Sequence, residues 1–256
     1  MKAPLSGPVN LTGKVAMVTG AGRGIGQAIC KALAREGAKI AACDLISLDE
    51  TIQQTKDLYK DSTIIGVNCD ISIEKEVTQA TKKVKDSFGR IDIFIGNAAI
   101  AGSVTPEDKD FLDVPIEEWD ILQKVNVRGT ALCCRAVWPI MSAQQNGKIV
   151  LIGSLAAKVG GVLYGPYYAA TKGAIHTFVK WIAKRGLRHG IYVNAISPGP
   201  IVTPMGNQAP FTNDMVPVGR LGQPEDIAEA VIFLVSDASN FITGTVLDVN
   251  GGMLMD

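Results

Sequence analysis

The chain is 256 residues long, 47% hydrophobic and 20% charged, with a mean hydropathy of +0.20. That is enough apolar material for one large core and too little polar bias for disorder. Its 25 Lys+Arg balance 25 Asp+Glu, which removes the electrostatic case for nucleic acid or an anionic membrane surface and favours a small neutral partner.

Short β-branched runs alternate with longer amphipathic stretches from Lys14 almost to the C-terminus, the pattern of a parallel sheet with helical crossovers. In chain order the strands are expected at Val15–Thr19, Lys39–Cys43, Ile64–Val67, Ile91–Ile95, Lys148–Ile152, Tyr192–Ile196 and Thr245–Val249. Helices are expected near Gly24–Glu36, Leu48–Tyr59, Glu74–Phe88, Glu117–Ala143, Tyr167–Arg188 and Glu225–Val235. Right-handed crossovers put helices on both faces, so the expected fold class is α/β: a doubly wound, seven-stranded parallel sheet. No linker or repeat interrupts the alternation, and residues 1–256 are read as one domain. Two irregular stretches, about 101–115 and 198–224, are long enough to be functional and sit where a substrate pocket forms.

No apolar run approaches the ~20 residues of a membrane span, and Met1–Asn10 has no charged segment followed by an apolar one, so a soluble, cytoplasmic protein without membrane attachment is expected. The five cysteines (Cys30, Cys43, Cys69, Cys133, Cys134) are odd in number and lack metal-ligand or disulfide spacing. They read as small buried hydrophobes in a reducing compartment. With only His176 and His189 present, a metal site or a Ser/His/Asp triad has little to draw on; no metal is expected, and both histidines read as structural.

The first strand–helix turn runs Thr19-Gly20-Ala21-Gly22-Arg23-Gly24-Ile25-Gly26. Glycine lets such a loop turn tightly and approach a pyrophosphate at a helix N-terminus. Asp44 ends the second strand about 20 residues later, where a ribose diol is expected, and its carboxylate would repel a 2′-phosphate. Arg23 argues the other way, because a basic side chain there can meet a phosphate. Asp44 is given the greater weight, and NAD is the expected cofactor.

Tyr168 and Lys172 stand one turn apart at the start of a helix, after a strand that ends at Gly153-Ser154. A phenol with a pKa of about 10 is a poor base near neutrality, but a neighbouring ammonium and a nicotinamide cation favour its ionised form. Lys172 is therefore expected to activate Tyr168 as acid/base, and Ser154 to donate to the substrate oxygen. As an isolated strand-end hydroxyl Ser154 would carry no such weight.

Together these residues resemble the short-chain dehydrogenase/reductase family over nearly the whole chain. The resemblance rests on Thr19-Gly20 with Gly24 and Gly26, Asp70-Ile71, Asn97-Ala98, Asn126, Ser154, Tyr168, Lys172, and Pro198-Gly199 with Thr203. It implies a Rossmann-type fold and a homotetramer. It implies that Asp70 and Ile71 hold the adenine, that Asn126 orders a water reaching Lys172, that Lys172 also binds the nicotinamide ribose, and that Ile201 and Thr203 hold the carboxamide. Gly20, Arg23, Gly24, Ile25, Gly26, Asp44, Asn97, Ala98, Tyr168, Pro198 and Gly199 complete the expected cofactor contacts. Gly96, Ala99 and Arg185 depart from the family's usual residues.

The expected reaction is hydride transfer between NAD and a neutral secondary alcohol or ketone. Met205–Pro217 contains no Lys or Arg, and Leu155–Pro166 offers Val159, Val162, Leu163 and Tyr164 with Lys158 as its only cation, which suits an apolar pocket. A 3-oxoacyl-[acyl-carrier-protein] reductase is the alternative; Asp44 and the neutral stretch Met141–Asn146 count against it, and Lys184, Arg185 and Arg188 count for it. A non-catalytic NAD-sensing protein is disfavoured by the complete polar set.

Overall fold

The computed structural model describes residues 9–104, 110–161 and 164–256. Seven parallel strands form one sheet: β1 (Val15–Thr19), β2 (Lys39–Asp44), β3 (Ile64–Asn68), β4 (Ile93–Gly96), β5 (Gly147–Ile152), β6 (Ile191–Pro198) and β7 (Val246–Val249), in the order β3-β2-β1-β4-β5-β6-β7. The chain leaves β1 first toward β2 and β3 and then returns to place β4 on the other side. The strand order therefore reverses between β1 and β4, and a crevice opens at their carboxyl ends.

Alternation along the strands divides the core in two. Ala16, Val18, Ile40, Ala42, Ile93, Ile95 and Val150 face α1 (Gly24–Arg35), α2 (Asp49–Leu58) and α8 (Pro224–Val235). Met17, Ala41, Phe94, Ile149, Leu151, Val193 and Ala195 face α3 (Glu74–Phe88), α5 (Thr130–Gln144) and α7 (Pro166–Gly186). Both faces of the sheet are thus covered, as a parallel sheet requires. All five cysteines are free and buried, and burial pushes the Cys30 and Cys134 thiols up to about 12, leaving them packing groups, not nucleophiles.

Three boundaries differ from expectation. β4 begins at Ile93, not Ile91; the Ile91 N–H and carbonyl are bonded to the Gln144 side-chain amide, at 3.2 and 2.8 Å, instead of to a neighbouring strand. The helix expected over Glu117–Ala143 is interrupted: α4 (Ile116–Leu122) passes into a π-helical turn, Gln123–Gly129, before α5. That wider turn carries Asn126, and such insertions re-aim a helix side chain. A short helix, α6 (Ala156–Val159), was not expected; it closes at Gly160, whose φ of +85° suits glycine. Among the described residues no helix is long and apolar enough to cross a membrane, and no group of three or more His, Cys, Asp or Glu is arranged to hold a metal.

Candidate active site

The glycine loop meets the steric demand that its sequence implies. A Cβ at Gly26 would lie 2.0 Å from the Gly20 carbonyl oxygen, and one at Gly20, whose φ is +66°, 2.7 Å from the Ala98 backbone. The loop therefore folds back on itself beneath the N-terminus of α1 and against the end of β4, and only glycine leaves the cradle open. Asn97 secures it from below: its Nδ2 donates to the Thr19 carbonyl at 3.1 Å and to the Gly20 carbonyl at 2.9 Å. The Thr19 hydroxyl accepts the Asn97 N–H at 3.1 Å and donates to Ile95 at 3.2 Å, tying the ends of β1 and β4 together. Asn97 thus shapes the cradle with its amide nitrogen.

The Asp44 carboxylate closes the far side, accepting the Gly22 N–H at 2.8 Å on one oxygen and the Leu45 and Ile46 N–H groups at 2.7 and 3.2 Å on the other. A carboxylate has about four lone-pair positions, so capacity remains for a diol. Arg23 is exposed, and among the described residues its guanidinium has no ion pair or hydrogen bond. Beside Asp70, whose carboxylate accepts the Ser72 N–H at 2.8 Å, Ile71 is buried against the π-helical turn, where a Cβ on Gly129 would touch it at 3.0 Å. From the opposite side the 198–224 stretch reaches the loop: the Thr203 methyl lies 3.3 Å from the Cβ position of Gly24, and the Thr203 hydroxyl accepts the Gly206 N–H at 2.8 Å. The cradle, its N-terminal helix dipole and the Asp44 acceptor fit a dinucleotide.

Ser154, Tyr168 and Lys172 converge at the end of β5. Tyr168 is 8% exposed, and burial pushes its phenol up to about 12, while a hydrogen bond with the Ser154 hydroxyl draws it down. The Lys172 ammonium donates to the Ile152 carbonyl at 2.9 Å and lies 5.6 Å over the Tyr168 ring; burial lowers it to about 8. A cation this close favours an anion on the ring, which is compatible with the expected activation of Tyr168 by Lys172, and the Ser154 hydroxyl acts in the same direction.

Asn126 spends its side chain on the Ile100 main chain, with bonds of 2.9 and 2.8 Å, and on the Thr171 hydroxyl at 3.1 Å. Its carbonyl accepts the Thr130 hydroxyl at 2.7 Å. Tyr167 points elsewhere, its hydroxyl on the Val114 carbonyl at 3.4 Å and its ring edge-on to Phe111 and Trp119.

The substrate side is apolar. Ala101, Val114, Leu122, Tyr167 and Tyr168 form a separate cluster to which Ala156, Tyr164 and Met205 add. The Tyr164 hydroxyl donates to the Met205 carbonyl at 2.6 Å and its ring lies 5.4 Å from that of Tyr168, linking the two substrate stretches across the phenol. Lys158 is held in place, its ammonium 2.5 Å from Asp248 and 2.8 Å from Asp256. Val162 and Leu163 lie outside the described residues, as do 105–109 of the first stretch and 1–8 of the N-terminal segment. A cavity of about 210 Å³ between Pro200, Ile201, Gly206 and Phe211 contains none of the reacting groups and belongs to the loop itself.

A family model described as enoyl-(acyl carrier protein) reductase matches residues 20–254. The chain belongs to the short-chain dehydrogenase/reductase family. It is 36% identical over 252 residues to a 3-oxoacyl-[acyl-carrier-protein] reductase of Synechocystis sp., the match spanning 96% of this chain and 98% of that protein. It is 37% identical over 257 residues to a 2-(S)-hydroxypropyl-CoM dehydrogenase 3 of Xanthobacter autotrophicus, spanning 95% and 97%. A 3-ketoacyl-(acyl-carrier-protein) reductase from Brucella melitensis, solved with NADH, superposes with a TM-score of 0.87 at 32% identity, covering 96% of this chain and all of that one.

As a member of this family the chain is a nicotinamide-dependent oxidoreductase with a Rossmann-type fold. The departure at Gly96 has a packing reason, since Leu151 fills the space a Cβ there would need, 2.6 Å away. Arg185 stacks on Trp181 at 5.3 Å on the exposed side of α7; nothing in the structure explains Ala99. Sequence reasoning missed Thr171, which joins Asn126 to the helix of Tyr168, and read Tyr164 only as an apolar wall of the pocket, not as the tie between the loops. Both act through contacts between distant segments.

Proposed function

We propose that this protein catalyses NAD-dependent hydride transfer at a neutral secondary alcohol or ketone. The convergence of Ser154, Tyr168 and Lys172 beside the glycine cradle carries this reading. Ser154 donates to the substrate oxygen as charge develops on it. Tyr168, neutral because it is buried, gives that oxygen a proton in reduction; in oxidation its phenolate, favoured by the Ser154 hydroxyl and the Lys172 ammonium, takes one. Lys172 anchors the pair to the end of β5 and offers its remaining donors to the nicotinamide ribose. Gly20 to Gly26, Asp44, Asp70, Ile71, Ala98, Pro198, Gly199, Ile201 and Thr203 surround the cofactor, and bound NAD supplies the hydride acceptor, or NADH the donor.

The preference for NAD rests on Asp44, whose charge opposes a 2′-phosphate. Wild-type kcat/KM should favour NAD over NADP, and Asp44→Ala should narrow the ratio. A wild-type preference for NADP would assign the site to Arg23. The neutral substrate is supported by the apolar cluster around Tyr168 and by Lys158, whose charge is committed to Asp248 and Asp256.

A second reading, reduction of a 3-oxoacyl group on a carrier protein, is favoured by the Synechocystis relative and by exposed Lys184, Arg185 and Arg188. Ranking a neutral ketone against its carboxylate and 3-oxoacyl thioester analogues by kcat/KM separates the two. A thioester advantage above about tenfold, ~1.4 kcal/mol in transition-state binding, selects the second.

A further inference from the structure

Tyr168, Lys172 and His176 recur every four residues on α7 and share one stripe of that helix. Each addresses the end of β5: Tyr168 meets the Ser154 hydroxyl, Lys172 the Ile152 carbonyl, and His176 the Ser154 main chain, accepting its N–H on Nε2 at 3.4 Å. The imidazole fills the space left by the missing side chain of Gly153, where a Cβ would lie 2.2 Å from Nε2.

We propose that His176 is a positioning residue for Ser154: a neutral ring, protonated on Nδ1, whose Nε2 fixes the Ser154 main chain and so aims its hydroxyl. The inference rests on the donor role of Ser154 proposed above.

The need for such an acceptor follows from where the sheet stops. Gly153 and Leu155 both donate their N–H groups to β6, at 2.7 and 2.9 Å, so the Ser154 N–H between them points away from that strand. β4 has ended, its last partner on β5 being Leu151, and no strand carbonyl follows on that side. An N–H left without a partner in a buried site is costly, and α7 supplies the missing acceptor from above.

Burial, with cations near it, holds the ring neutral. Leu151, Val193 and Ala195 face α7, so by alternation Gly153 and Ser197 do as well, together with Asp248, the register partner of Ser197. Among the described residues the Ser197 hydroxyl and one Asp248 oxygen are buried without a partner, while the other Asp248 oxygen holds Lys158 at 2.5 Å. Protonation would set a third cation beside Lys158 and Lys172. Burial first, then Lys158, Lys172 and Lys180, hold the imidazole at about 4 against the opposing pull of Asp248. A neutral ring keeps one nitrogen free to accept.

The test compares His176→Phe, which keeps the ring volume and removes the acceptor, with His176→Gln, whose amide oxygen reaches the same place. Assays use a neutral ketone and a 3-oxoacyl thioester. Phe should lower kcat by about tenfold to 100-fold with KM for the nicotinamide cofactor unchanged, and Gln should restore most of the loss. Equal activity in His176→Phe and wild type, or an equal fall in both variants, overturns the proposal. Ser154→Ala separates it from its premise. Full activity there overturns the Ser154 donor role, whereas an inactive Ser154→Ala beside an unaffected His176→Phe overturns the positioning role alone. Nitrogen-15 spectra of the wild-type ring at neutral pH give a readout that needs no variant to fold. The Nδ1-protonated neutral tautomer is expected, and an Nε2-protonated or charged ring refutes the assignment.

Discussion

Tyr167 and Tyr168 are adjacent, both buried and both aromatic, yet only one phenol reaches Ser154. Tyr168→Phe should lower turnover by about 10²–10⁴-fold, the usual range for a lost acid/base group, and leave cofactor affinity nearly unchanged. Tyr167→Phe loses one long hydrogen bond to Val114 and should keep most of its activity; steady-state rates and cofactor titration check both. His176 gives a second residue-scale expectation, this time in stability. Its pKa falls from 6.5 to about 4 on folding, so between those values the unfolded chain binds a proton that the folded chain does not. Stability therefore drops as pH falls through that window, by at most about 1.4 kcal/mol per pH unit, and is unaffected by this group above it. Urea unfolding of wild type and His176→Gln across that window should show a steeper acid loss in the wild type; parallel curves would mean that the ring is already charged in the fold.

At the scale of elements, the glycine loop is the most exacting piece. Gly26→Ala sets a Cβ 2.0 Å from the Gly20 carbonyl oxygen and 2.7 Å from the Asn97 amide, both backbone or fixed groups that cannot yield without reshaping the cradle. Cofactor affinity should fall at least about tenfold, or ~1.4 kcal/mol, measured by fluorescence titration of NADH, with a folded far-UV spectrum retained. This loop was legible in the sequence because glycine spacing, strand and helix all lie within one short segment. The seven strands were legible for the same reason, each a local apolar run. The break at Asn126 was not, since Val125, Val127 and Ala131 continue a plausible helical pattern. What widens the turn there is bonding to Ile100, 26 residues away in sequence. Spacing put Lys172 beside Tyr168, and the packed site adds what spacing could not show, the bond of the ammonium to the Ile152 carbonyl.

For the whole molecule, the same α7 that turns Tyr168, Lys172 and His176 inward presents Trp181, 61% exposed, and Leu187, 54% exposed, outward. Phe233 at 40% and Phe241 fully exposed lie on a second face, at α8 and the chain after it. Large apolar groups left in water on two separate faces suit two different two-fold contacts, and two such axes generate a tetramer. The homotetramer that the family resemblance implies would cover both faces. Each well-covered Trp, Leu or Phe would contribute roughly 1.5–3 kcal/mol per protomer, enough for a handful to hold the assembly. Light scattering at micromolar concentration should give about four times the 27.1 kDa chain mass, and Trp181→Glu, which puts a charge in one of the two contacts, should reduce it to a dimer. Because α7 connects that contact to the reacting groups, the dimer should also turn over more slowly while still binding NADH. A wild-type protein that scatters as a monomer refutes the assembly. A fully active Trp181→Glu dimer would mean that the helix holds its catalytic stripe without support from its outer face.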